Sequence, residues 1–134
     1  MPTLVGRFSK PENITNPGFD GTVLRFTVVI LDKSHLGTPR ETSEAKPVRI
    51  RVEISDSRSS SWNLQGKDLE KVLFQFAKEE LARVLSVGTV PSTDLAVIIN
   101  ASTNTGACPF EVEKIQEPNG ALIEIQANRR IGFV

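Results

Sequence analysis

The sequence predicts an α+β domain: a mainly antiparallel sheet of about six strands with one long helix packed on it, in the order β-β-β-α-β-β(-β). Three observations predict it. Val48, Ile50, Val52 and Ile54 alternate with Arg49, Arg51 and Glu53, the two-residue period of a strand with one buried face. Residues 67–87 are rich in strong helix formers and hold no internal Gly or Pro. Pro118, Asn119 and Gly120 separate two apolar runs, and Asn-Gly supplies the positive backbone angles of a tight hairpin.

The elements follow in chain order. Residues 4–8 read as a short strand, and residues 9–21, with Pro11, Pro17, Gly18 and Gly21, as a loop. Residues 22–31 form a long strand with Leu24, Phe26, Val28 and Ile30 on one face. Its second face is also mostly apolar, which predicts a central position. Residues 32–47 are polar and read as a long connection, and residues 48–54 as the clearest strand. The serines of 55–66 compete for backbone hydrogen bonds and predict irregular structure. The helix then runs to Gly88, with Pro91 beyond, and Glu79 and Arg83 are spaced for a favourable pair. Residues 95–99 are wholly apolar and predict a strand buried on both faces. Residues 110–115 and 121–126 read as the two arms of the hairpin, and residues 131–134 as a short terminal strand.

Composition limits the function classes. The chain of 134 residues is 39% hydrophobic and 24% charged, which fits one globular domain spanning residues 1–134. Sixteen basic and sixteen acidic side chains cancel, so no long-range field draws the domain to polyanions. One Cys excludes an internal disulfide. The N-terminus has no basic segment followed by a long apolar one, and the apolar runs are too short to span a bilayer as a helix. These features predict a cytoplasmic protein with no membrane association.

No catalytic group, metal set or cofactor motif stands out. Cys108 and His35 are the only thiol and imidazole, and nothing in the spacing brings them together. Two such ligands fall short of a zinc site. Residues 101–107 form a small hydroxyl-rich loop, but no Gly-Lys-Ser/Thr ending or following helix makes it a phosphate loop. Glu80 falls inside the apolar arc of the helix, which makes it the one candidate for a ligand-binding or acid-base carboxylate. A salt bridge, with Arg49 or Arg51 as the partner, is the structural alternative.

The helix carries more apolar surface than one sheet face needs. Leu69, Val72, Leu73, Phe74, Phe76, Ala77, Leu81, Val84 and Leu85 cover an arc of roughly 220°, about twice the usual stripe. The cover is a loop of this chain, a strongly curled sheet or a second subunit. Taking the third case, Phe74, Leu81 and Leu85 with Trp62 become partner-binding residues, and the domain a non-catalytic assembly module that works as a homo-oligomer or with a protein partner. The alternative is a nucleic-acid surface of Arg49, Arg51, Arg58 and Trp62, in which the indole stacks on bases; the plainer reading of Trp62 is that it closes the end of the core just before the helix.

Overall fold

The structure, a computed structural model, describes residues 4–43, 45–86, 94–100, 106–115 and, as backbone, 122–125. It is an α+β fold. The strands are β1 (Leu4–Phe8), β2 (Glu12–Asn13), β3 (Gly21–Asp32), β4 (Lys46–Ser55), β5 (Leu95–Ile99) and β6 (Leu122–Ile125). The helices are α1 (Arg40–Ser43), α2 (Asp56–Ser61) and α3 (Gly66–Leu85). One mixed sheet runs β5-β4-β3-β1-β6, and β2 pairs with β3 beyond the end of β1. Strand β3 is central, as its apolar second face predicts. Every pairing is antiparallel except β4 with β5. That parallel pair follows from the long helix, because a crossover returns the chain to the end from which it left.

The register puts the apolar alternation of neighbouring strands on one face. Phe26 lies opposite Ile50, Leu24 opposite Val52, and Val28 between Phe8 and Val48. All are buried, and they share one core with Val72, Leu73, Phe74, Ala77, Leu81 and Leu85 of α3. Of the remaining expected core residues, Ile99 is buried while Leu69, Phe76 and Val97 are half-buried and packed against the cluster.

Four sequence expectations need correction. Residues 110–115 are not a strand but a bend with a 3-10 turn at Val112–Lys114. Phe110 and Val112 start a strand-like alternation, but Ile115 breaks it, and all three pack towards α3 and the core. Accordingly, β6 pairs with β1 and not with residues 110–115; the turn at Pro118 to Gly120 lies outside the described residues. The serine-rich stretch contains α2, because Ser55 caps it: its Oγ accepts from the backbone N–H of Arg58. Strand β5 is buried on one face only. It is an end strand, and Ile98 is 54% exposed. The helix stop at Gly88 and the terminal strand at 131–134 also fall outside the described residues.

The wide apolar arc of α3 is covered by its own chain. Phe74 is 0% exposed, Leu81 1% and Leu85 6%. The ring of Phe8 meets Phe74 edge-on at 4.9 Å, and Phe26 lies 5.7 Å from it. On another flank Phe76 meets Phe110 edge-on at 4.9 Å. The cover is therefore intramolecular: β1 of the sheet, through Phe8, on one flank and a loop, residues 106–115, on the other. The premise that Phe74, Leu81 and Leu85 form an open border for a partner is corrected.

Candidate functional site

Of the places the sequence singles out, the fold brings Arg58 and Trp62 to Gly106 of the 101–107 loop, whose residues 101–105 lie outside the described residues. Glu80 sits on α3 with its side chain 21% exposed and bonded to Arg83 at 3.0 and 2.6 Å. Its partner is three residues along its own helix, rather than Arg49 or Arg51. This two-pronged hydrogen bond pushes the Arg83 guanidinium pKa up. The pair satisfies the Glu80 charge within its own helix, so its place in the apolar arc needs no ligand to explain it. The Arg83 side chain also turns to Glu80, while Glu79 accepts from Gln75.

The four residues proposed for nucleic acid split between two sides of the sheet. Arg49 and Arg51 alternate with the buried Val48, Ile50 and Val52, so they stand on the face away from α3. Trp62 lies on the α3 side, stacked on Phe76 with centroids 6.1 Å apart and planes within 3°. Its indole N–H donates to the Gly106 carbonyl at 2.9 Å. The Arg58 guanidinium lies 5.4 Å over the indole ring and donates to the same carbonyl at 3.3 Å. Phe76 and Arg58 thus both lie against the indole ring, within the chain's own packing.

Cys108 is half-buried, and its thiol donates to the Phe110 carbonyl at 3.7 Å. His35 belongs to the 3-10 turn after β3, where its own carbonyl accepts from Thr38. The two side chains do not meet as a nucleophile and base. Among the described residues no three His, Cys, Asp or Glu side chains group as metal ligands.

The feature the sequence did not single out is the face of the sheet opposite α3. Arg25 of β3 stands directly across from Arg51 of β4, and Thr27 across from Arg49. Two facing arginines repel, yet each has a carboxylate: Glu12 binds Arg25 at 3.2 Å and Glu53 binds Arg51 at 2.9 Å. Asp94 lies 3.9 Å from Arg49 at the β5 end. Next to them Ala96 and Ile98 present apolar side chains on β5. Towards β5 the face is therefore a mixed surface of compensated arginines and aliphatic groups, whereas Val5, Val23 and Leu31 on the same face are buried. Arg25 was visible in the sequence only as an interruption of an apolar strand. Its meeting with Arg51 and Glu12 depends on a register that sequence spacing does not supply.

No helix among the described residues is long and apolar enough to cross a membrane. No family model, curated protein or solved structure matches the chain.

Proposed function

We propose that this domain is a non-catalytic binding module that works through protein contacts, with the β4–β5 part of the sheet face opposite α3 as its contact surface. The observation that carries the reading is Ile98, a large aliphatic side chain 54% exposed on that face beside Ala96. Around it stand arginines whose charges are already balanced by neighbours. Arginine with aliphatic surroundings is common at protein interfaces, where isolated lysines and carboxylates are depleted. The balance of charge weighs against a polyanion: binding one requires breaking the Glu12–Arg25, Glu53–Arg51 and Asp94–Arg49 pairs or carrying their three carboxylates onto phosphate. The pairing of Glu80 with Arg83 weighs against acid-base chemistry there.

A second copy is the partner to test first, because a face bearing both signs is compatible with itself and the chain has no net charge to oppose association. Sedimentation velocity from about 1 to 100 μM, with Ile98→Glu beside the wild type, reads it directly. Concentration-dependent association that Ile98→Glu abolishes supports the reading. A wild type that is monomeric throughout rejects self-assembly. Salt-dependent binding of single-stranded RNA or DNA, lost in Arg51→Glu, would replace the protein-contact reading with the nucleic-acid one.

A further inference from the structure

Residues 106–115 differ from the rest of the core in how they are held. They contribute no residue to the sheet register. Their backbone hydrogen bonds at Lys114 and Ile115 are local, closing on Glu111 and Val112. Among the described residues, the long-range hydrogen bonds to this stretch converge on a single atom, the Gly106 carbonyl oxygen, which accepts from Arg58 and from Trp62. Beyond that the stretch is held by side chains: Phe110 against Phe76, Ile115 in the core, and Cys108 and Val112 at its border. Segments fixed by few hydrogen bonds and a handful of apolar contacts open at lower free energy than sheet ladders do.

We infer that residues 106–115 form a strap over α3 that opens as a unit while the sheet and α3 stay folded, with Arg58 and Trp62 as its catch. Opening withdraws Phe110 from Phe76 and uncovers an apolar flank of α3. That surface is distinct from the open sheet face, so the inference stands or falls independently of the proposed contact role. The catch is built on one side only: Trp62 is positioned by its stack on Phe76, so it stays with α3 when the strap leaves.

The chain holds one Cys, on the strap, and one Trp, in the catch, so opening is readable without added probes. The experiment is labelling of the Cys108 thiol by a disulfide reagent in native buffer and in low denaturant. The expected result is labelling slower than a free thiol, with a denaturant dependence well below that of global unfolding. Trp62→Phe deletes the indole donor and is expected to raise the rate about fivefold, the equilibrium factor for losing one neutral hydrogen bond. Val28→Ala supplies the discriminating control. Val28 is buried between Phe8 and Val48 in the sheet, so its truncation favours global unfolding and leaves strap opening unchanged. Labelling that accelerates in Val28→Ala as much as global unfolding does, or that follows the full unfolding slope, overturns the inference. So does wild-type labelling at the free-thiol rate, which would mean that Cys108 needs no opening.

Discussion

Truncating Phe74 to Ala is the sharpest test of how α3 is covered. The ring is fully buried, meets Phe8 edge-on at 4.9 Å, and has the Lys78 ammonium 4.6 Å from its centroid on α3. Removing a buried Phe costs about 3–5 kcal/mol when the site cannot collapse. The edge-on contact with Phe8 accounts for ~0.5–1.5 kcal/mol of that range. Unfolding entropy near 60 °C is about 2.1 cal/mol/K per residue, or about 280 cal/mol/K for this chain, so a loss of ~4 kcal/mol lowers Tm by about 14 °C. In urea, with a slope of roughly 2 kcal/mol/M, the midpoint falls by about 2 M. Thermal and urea unfolding followed by circular dichroism read both, and Phe74→Leu, costing about 1.5 kcal/mol, covers the case in which Ala leaves too little folded protein. The oligomeric state is measured on the same samples. A cost below about 1 kcal/mol accompanied by loss of a dimer would refute the reasoning, because it would place Phe74 at an interface rather than inside one chain.

Three further outcomes follow from the packing. Gly21→Ala is expected to cost about 1–3 kcal/mol in urea unfolding, because an added Cβ would lie 2.3 Å from the Ile54 carbonyl oxygen and 2.7 Å from the Phe19 ring. Burial holds the Lys78 pKa below the ordinary 10.5, so the unfolded chain binds more protons in the window just below that value, and stability rises with pH there. Lys78→Met is expected to flatten that rise and to stabilise the domain at neutral pH, checked by urea midpoints from pH 7 to 10.5; a steeper rise in the variant would contradict it. Cys108→Ser keeps a donor for the Phe110 carbonyl and is expected to shift stability by less than about 1 kcal/mol, with the fold unchanged by circular dichroism.

The sequence by itself determined the elements whose pattern is local. The strict alternation of residues 48–54 and the uninterrupted formers of 67–87 specify a strand and a helix whatever surrounds them, and β4 and α3 lie where that pattern puts them. The core faces of β3 and β4 were legible for the same reason. A short helix at 56–61 was not, because a serine run disfavours helix interiors yet its first member, Ser55, makes a good cap. Only the tertiary structure decided which strands are neighbours. Phe8 reaches Phe74 because β1 pairs with β3, and that contact turns an apolar border expected to seek a partner into core. The same register sets Arg25 against Arg51, and it sends Arg49 and Arg51 to one side of the sheet and Trp62 to the other. Periodicity fixes which way a side chain points from its own element. What it meets there depends on strand order and register, which are set by contacts far apart in the chain.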